Sequence, residues 1–237
     1  MLNNRKTFVN FINEIFQPYR KEMMDELTGK LNKTSSHELF THQKLVRDYI
    51  NLYTPYRGLL LYHGLGSGKT CTSIGIAEGI IKTAAVAMGE SIGTNRKIFV
   101  MMPASLRTNY FEELKKCGNP IYRKNQHWEF IDTVKYPEHI DTLSKVLHLP
   151  VSVIEKQKGA WMVDVTKEPN YDTLEENDQK MLEYQLNEMI ISKFIFYNYN
   201  NPNIKKDVNT TMTNNHSKNP FDNKVVIIDE AHNLIGR

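Results

Sequence analysis

The sequence predicts an α/β fold built on a doubly wound parallel sheet, with helices before it. Two short apolar runs, residues 58–62 and 225–228, are each followed by polar residues of the kind found where a buried strand ends at a ligand site. Between these runs, apolar strand patterns alternate with helical patterns, and this order favours parallel strands joined by right-handed crossovers. A chain of 237 residues with 40% hydrophobic residues is long enough to bury a core for such a sheet.

The first 57 residues predict two helices. Apolar residues recur at close to helical spacing between Thr7 and Tyr19, where Pro18 ends or bends the helix. A second amphipathic pattern covers residues 37–53. We therefore expect residues 1–36 to form a helical extension and residues 37–237 to form the main lobe.

The remaining elements follow in chain order. A strand at 58–62 is expected first, and the last strand is expected at 224–228. Between them the patterns predict helices at 70–85, 106–117 and 170–192, and strands at 97–102 and 193–198. Residues 118–169 are interpreted as an insertion, with strands at 128–131 and 151–154 and a helix at 137–147. Residues 199–223, rich in Asn, Thr, Lys and Pro, are interpreted as a mobile loop.

A glycine-rich loop follows the first apolar run. Backbone N–H groups of such a loop wrap phosphates, and the positive end of the next helix assists them. Gly66 and Gly68 would supply positive φ angles, Lys69 would reach the β- and γ-phosphates, and the Thr70 hydroxyl would ligate Mg²⁺. His63 stands where the full pattern has glycine. The sequence therefore predicts a P-loop that binds ATP through Gly64, Leu65, Gly66, Ser67, Gly68, Lys69 and Thr70; the alternative is a glycine-rich turn with no ligand.

A carboxylate pair follows the last apolar run. Asp229 at the carboxyl end of a buried strand lies where parallel sheets bind ligands, and it would hold Mg²⁺ through water. Glu230 would position and deprotonate the attacking water, so Lys69 and Glu230 are the predicted catalytic residues. A solvated Asp-Glu turn is the alternative. The P-loop in the same chain favours the nucleotide site.

Asp229-Glu230-Ala231-His232 spells the DEAH form of helicase motif II, and the chain resembles the first RecA-like lobe of superfamily 2 helicases and translocases. The amino-acid sequences of the two nucleotide motifs most resemble those of large-DNA-virus helicases. These helicases are relatives of the poxvirus early transcription factor small subunit and nucleoside triphosphatase I. The resemblance covers about residues 41–233. It implies an ATP- and Mg²⁺-dependent role in viral transcription or DNA remodelling.

The resemblance also assigns roles to individual residues. Gln43 would read adenine, although a surface polar residue is the other interpretation. The segment with Pro103, Ser105 and Arg107 looks like motif Ia, which grips the nucleic-acid backbone in the family, and residues 194–198 resemble the strand that leads into motif Ib. His232 would link the nucleotide site to the nucleic-acid motifs, and a packing histidine is its alternative.

The family works with two lobes, and the second supplies arginines that stabilise the transferring phosphoryl group. The sequence ends at Arg237 without motifs III, V and VI, so we expect the N-terminal portion of a helicase, from a split gene, a truncation or a fragment. ATP hydrolysis is then expected only when a second lobe completes the site. A non-catalytic interaction module that retains nucleotide binding is the alternative. A kinase or clamp-loader-type ATPase is disfavoured by the DEAH spelling and by the segment that begins at Pro103.

A net charge of +3 permits a polyanionic partner without requiring one. The expected partners are nucleic acid, with DNA favoured, and a second helicase lobe or the transcription machinery. The N-terminus lacks a signal-peptide pattern, and no apolar run approaches the roughly 20 residues that span a bilayer. We therefore expect no membrane association and an intracellular location, in the host cytoplasm or the virion if the protein is viral.

Overall fold

The structure, a computed structural model, describes residues 4–30, 39–64, 66–87, 89, 97–204, 206, 221 and 224–234. The chain divides into two compact units, residues 1–80 and 81–237. None of the helices in the described part of the chain is both long enough and apolar enough to cross a membrane.

The described part of the first unit is helical. Its helices are α1 (Asn4–Ile15), α2 (Gln17–Leu27), α3 (Thr41–Asp48), which continues as a π-helical turn over Tyr49–Tyr53, and the start of α4 (Lys69–Ala87). The two predicted N-terminal helices are confirmed. The expected break near Pro18 is confirmed, because α1 ends at Ile15 and Pro18 lies in the first turn of α2, where its missing N–H costs nothing.

Helix α3 is held against its neighbours by polar contacts. The Tyr19 hydroxyl donates to Asp48 Oδ2 at 2.5 Å, and Lys44 Nζ lies 3.1 Å from Glu22 Oε1, so both contacts join α2 to α3. Within the π-helical turn, Asn51 Nδ2 donates to the Ile76 carbonyl of α4 at 3.3 Å. These contacts join α3 and its π-helical turn to α2 and α4.

The strand expected at residues 58–62 does not form. These residues have no regular secondary structure, and the side chains of Leu60 and Tyr62 are 79% and 95% exposed. A strand needs a neighbour for its backbone N–H and C=O groups. The described residues of the first unit contain no strand, so the apolar run has no partner within this unit, and the prediction is wrong.

The second unit contains a parallel sheet. Its strands are β1 (Ile98–Met102), β2 (His127–Asp132), β3 (Gly159–Asp164), β4 (Phe194–Asn198) and β5 (Val225–Ile228), and its helices are α5 (Arg107–Cys117), α6 (Ile140–Leu147), α7 (Val151–Gln157) and α8 (Glu176–Lys193). Strands β1, β4 and β5 form the sheet in the order β4-β1-β5, with every pairing parallel. The predicted α/β class with parallel strands is confirmed.

The central strand of this sheet is the most buried. Ile98, Phe99 and Val100 of β1 are at most 1% exposed, as expected for a strand with neighbours on both sides. The apolar faces of α5 and α8 are buried as well, through Tyr110, Leu114, Leu182, Leu186 and Ile190. Because all three strands are parallel, their carboxyl ends lie at the same edge of the sheet.

The insertion at 118–169 forms its own two-stranded antiparallel sheet, β2 with β3, next to α6 and α7. The predicted strand at 128–131 and helix at 137–147 are confirmed, the latter as a 3₁₀ turn followed by α6. The strand expected at 151–154 is wrong, because these residues begin α7 directly after Pro150 and bury Val153 and Ile154. Strand β3 was not predicted. Of the expected loop at 199–223, residues 205, 207–220, 222 and 223 lie outside the described residues.

Candidate nucleotide and nucleic-acid sites

The glycine-rich loop has the predicted backbone conformation. Gly66 has φ 75° and Gly68 has φ 74°, values that residues with a Cβ atom seldom adopt. Helix α4 begins at Lys69, directly after the second of these glycines. The loop thus leads into the N-terminus of a 19-residue helix, an arrangement that favours anions. Leu65, also predicted to contact the nucleotide, lies outside the described residues.

Side chains of the loop itself hold its carbonyl groups. The Ser67 hydroxyl donates to the Gly64 carbonyl at 2.9 Å, and Lys69 Nζ donates to the carbonyls of Gly64 and His63 at 3.1 and 3.3 Å. The ammonium group therefore lies across the loop in this structure. Phosphate oxygens carry negative charge and would be stronger acceptors for this ammonium group than the carbonyl oxygens are.

Helix α3 contributes two further contacts to the loop. His42 Nε2 lies 3.1 Å from the Ser67 carbonyl, and Gln43 Nε2 donates to the Gly68 carbonyl at 3.2 Å. The other end of the Gln43 amide accepts from the Phe40 N–H at 2.9 Å, and Gln43 is only 3% exposed. A Cβ on Gly68 would overlap the Gln43 amide. Gln43 thus packs on the glycine-rich loop, and its role in reading adenine stays a prediction.

The carboxylate pair follows β5 in the second unit. The Asp229 N–H donates to the Met101 carbonyl at 2.9 Å and extends the ladder between β5 and β1 by one bond. The Glu230 N–H donates to Asp229 Oδ1 at 3.1 Å. Glu230 has φ 51°, a left-handed conformation that costs a residue with a Cβ about 1–2 kcal/mol. The surrounding contacts must stabilise this conformation.

Tyr199 and His232 provide such contacts. The single proton of the Tyr199 hydroxyl is shared between the carbonyl oxygens of Asp229 and Glu230, each 3.1 Å from the hydroxyl oxygen, as a three-centre hydrogen bond. His232 Nδ1 lies 3.2 Å from Glu230 Oε2, and its ring is largely exposed. Sequence reasoning missed Tyr199, because a tyrosine within an Asn-rich run carries no distinguishing pattern. The predicted link from His232 to nucleic acid stays untested.

The predicted metal ligands have the chemistry that magnesium prefers. Asp229 offers a half-buried carboxylate at the end of β5, and Thr70 offers a hydroxyl in the first turn of α4. Both are oxygen donors, and Mg²⁺ in nucleotide sites is held by one or two such groups together with phosphate oxygens and water. Each residue, within its own unit, therefore offers an oxygen donor of the kind that Mg²⁺ prefers.

The motif Ia segment borders a cavity in the second unit. Pro103 ends β1, Ser105 lies exposed in the 3₁₀ turn Ala104–Leu106, and Arg107 begins α5. The Arg107 guanidinium lies 5.3 Å from the ring centre of Phe196 and 5.6 Å from that of Phe111, within cation–π range. The cavity has a volume of about 290 Å³ and is lined by Met102, Arg107, Phe196, Asn198 and Asn201, among others. It offers a cation, an aromatic ring and amide groups at the carboxyl edge of the sheet.

The chain is similar to several viral proteins. It is 34% identical over 116 residues to "Putative ATP-dependent RNA helicase R563" of Acanthamoeba polyphaga mimivirus, which covers 48% of this chain and 18% of the relative. It is 56% identical over 81 residues to "Putative helicase 009L" of Frog virus 3 (33% of this chain, 8% of the relative), and 40% identical over 80 residues to "Putative helicase 087L" of Invertebrate iridescent virus 3 (32% and 8%).

The chain spans less than a fifth of the length of each of these relatives. No family model matches it, and no solved structure matches it. The matched relatives are viral proteins named as putative helicases, one of them as an ATP-dependent RNA helicase.

Proposed function

We propose that the chain is the ATP-binding, RecA-like lobe of a superfamily 2 helicase or translocase. The observation that carries this proposal is the loop with left-handed Gly66 and Gly68 that opens α4 at Lys69 and Thr70. Such a loop cradles phosphates through backbone N–H groups at a helix N-terminus. The similarity to viral proteins named as helicases supports the same conclusion.

Each polar residue has a distinct role in the proposed reaction. Lys69 exchanges its loop carbonyls for the β- and γ-phosphates of ATP, and Thr70 and Asp229 hold Mg²⁺. Bound Mg²⁺ supplies positive charge to the phosphoryl oxygens. Glu230 orients the attacking water and accepts its proton. The arginines that would complete charge stabilisation, worth about 10³–10⁵ in rate, come from a second lobe.

The nucleic-acid contacts are proposed at the motif Ia segment. Pro103 and Ser105 lie where the sheet edge meets solvent, and Arg107 places a cation beside the cavity. Phosphate contacts by such residues position a strand without reading its sequence. We propose a role in viral transcription or DNA remodelling, because the motifs resemble the helicases that large DNA viruses use there.

The decisive measurement is ATP turnover by the purified 237-residue chain, with and without single- and double-stranded DNA. Glu230→Gln serves as the catalytic control, and Lys69→Ala serves as the binding control. DNA-stimulated turnover that Glu230→Gln abolishes would establish an enzyme. Mg²⁺-dependent ATP binding that Lys69→Ala abolishes, without turnover, would establish a half-site that needs a second lobe. Absence of both would overturn the proposal.

A further inference from the structure

We propose that Tyr199 is a positioning residue for the Asp229–Glu230 pair, an inference that rests on the proposed function of that pair. Tyr199 directly follows β4 and is 7% exposed. Its hydroxyl group lies 3.1 Å from the Asp229 carbonyl oxygen and 3.1 Å from the Glu230 carbonyl oxygen. One side chain just beyond the end of β4 thus binds two successive peptide groups at the end of β5.

These two contacts act on the backbone torsions of Glu230. The Asp229 carbonyl belongs to the peptide before the Glu230 α-carbon, and the Glu230 carbonyl belongs to the peptide after it. Holding both oxygens on one hydroxyl fixes both peptides relative to each other. Glu230 can then keep its φ of 51°, which a free chain would seldom adopt.

The conformation of Glu230 determines where both carboxylates point. The Glu230 N–H donates to Asp229 Oδ1, so a change in the Glu230 backbone also moves the hydrogen bond that orients Asp229. Loss of the Tyr199 hydroxyl should therefore weaken the Mg²⁺-dependent part of nucleotide binding. It should leave the Mg²⁺-independent part unchanged, because Asp229 is the metal-holding residue of this unit.

Tyr197 provides a matched control two residues earlier. It is also 7% exposed, but its buried hydroxyl hydrogen-bonds to none of the described residues. Tyr197→Phe and Tyr199→Phe remove the same atom from equally buried rings. A difference between the two variants therefore reports the hydrogen bonds to the carboxylate pair.

The experiment measures binding of a fluorescent ATP analogue to the full chain as Mg²⁺ is titrated. The Mg²⁺ midpoint is the Mg²⁺ concentration at which binding of the analogue is half-maximal. Losing one hydrogen bond of ordinary strength should raise this midpoint about 3- to 10-fold in Tyr199→Phe. In Tyr197→Phe it should rise less than about 2-fold. Without ligand, the ¹⁵N–¹H signals of Glu230 and Ala231 should shift in Tyr199→Phe alone. A purely structural role for the hydroxyl would lower the melting temperature without changing the Mg²⁺ midpoint.

The outcomes separate this inference from the proposed function. An unchanged Mg²⁺ midpoint in Tyr199→Phe, with Mg²⁺-dependent binding intact in the parent chain, overturns the positioning role alone. Absence of Mg²⁺-dependent binding in the parent chain overturns the proposed function, and the positioning role with it. If Tyr199→Phe fails to fold, 3-fluorotyrosine at position 199 keeps the hydroxyl and makes it a stronger donor, with one added fluorine atom on the ring. An unchanged midpoint there overturns the inference.

Discussion

The side-chain amide of Gln43 joins helix α3 to the glycine-rich loop, because its Nε2 donates to the carbonyl oxygen of Gly68 at 3.2 Å. The amide oxygen is also occupied, since it accepts from the Phe40 N–H. With 3% of its surface exposed, Gln43 presents almost nothing to solvent. In this structure the residue supports the loop backbone, whereas the family resemblance implies that it reads adenine.

Replacing Gln43 by alanine distinguishes these two roles. Loss of a loop-supporting hydrogen bond should weaken binding of ATP, GTP and inorganic tripolyphosphate alike, by about 3- to 10-fold. Calorimetric titration of the three ligands in the presence of Mg²⁺ measures this. Lys44→Ala is the control, because it changes the neighbouring position of α3 and leaves the loop contacts in place. A loss confined to ATP would show that Gln43 reads the base.

The loop and the sheet show how far sequence could predict this structure. Gly66 and Gly68 were predictable, because only glycine adopts their φ angles without strain. Residues 58–62 have the apolar character of a strand, but a strand depends on a partner that local sequence does not specify. Residues 151–154 are an apolar run too short for its period to separate strand from helix.

Some residues of the candidate site could likewise be predicted from the sequence, and others could not. The P-loop and the Asp229–Glu230 pair were found because their chemistry requires fixed residue types at fixed spacing. The Tyr199 hydroxyl contacts backbone carbonyls 30 and 31 residues away, and backbone carbonyls have no residue signature. Contacts of this kind can be found only in three dimensions.

Gln185 closes one edge of the small sheet in the insertion. The Trp161 N–H donates to Gln185 Oε1 at 2.7 Å, and Gln185 Nε2 donates to the Trp161 carbonyl at 2.8 Å. Asn170 makes the same pair of bonds with Trp128 on the other strand, at 2.7 and 3.0 Å. Gln185 is fully buried, whereas Asn170 is half-buried.

We expect Gln185→Leu to destabilise the second unit by about 2–4 kcal/mol, because it leaves two buried backbone groups unpaired. Asn170→Ala should cost about 1 kcal/mol, because Asn170 is itself half-buried and its truncation lets water replace the lost amide. Urea unfolding followed by tryptophan fluorescence measures both values. Equal losses in the two variants would show that burial does not set the cost of these bonds.

A partly buried ion cluster makes the stability of the second unit depend on pH. Lys124 pairs with Glu183 and lies 3.3 Å from Glu112, which also pairs with Lys115 at 3.0 Å. Burial alone would raise the pKa of each glutamate. For Glu112 the contacts with Lys115 and Lys124 outweigh burial, and for Glu183 those with Lys124 chiefly do, so the pKa of both carboxyl groups falls below its ordinary value of 4.5.

A carboxyl group whose pKa is lowered by folding stabilises the protein above its unfolded pKa. That contribution is fully present at neutral pH and is lost as the pH falls below about 4.5 and through the lower folded pKa. Lys124→Met should lower stability at pH 7 by about 0.5–1 kcal/mol, a value that allows for solvent screening of half-exposed glutamates. The difference from the parent chain should shrink between pH 5 and pH 3.

Urea midpoints from circular dichroism at a series of pH values test this expectation. Lys116→Met is the control, because Lys116 pairs with Glu113 on the exposed surface of α5 and should change stability little at any pH. A Lys124→Met deficit that stays constant down to pH 3 would contradict the cluster's electrostatic role. It would indicate that only packing of the lysine stem matters.

Arg107 combines a charge with two aromatic neighbours, and the two contributions to nucleic-acid binding can be separated. Arg107→Ala should weaken binding of a single-stranded oligonucleotide and reduce the slope of log K against log salt by about 1, because one phosphate contact is lost. Arg107→Lys should keep that slope and lose only about 2- to 5-fold in affinity, since lysine retains the charge but not the guanidinium group that lies 5.3 Å from the Phe196 ring centre.

Fluorescence anisotropy at several salt concentrations gives both the affinity and the slope. Lys116→Ala is the control, because this lysine lies on the same helix but is already paired with Glu113. If Arg107→Ala binds as tightly as the parent chain at every salt concentration, the nucleic acid does not contact the cavity edge. If the affinity falls at an unchanged slope, Arg107 contributes through its packing on Phe111 and Phe196, and the phosphate contact must be sought elsewhere on the chain.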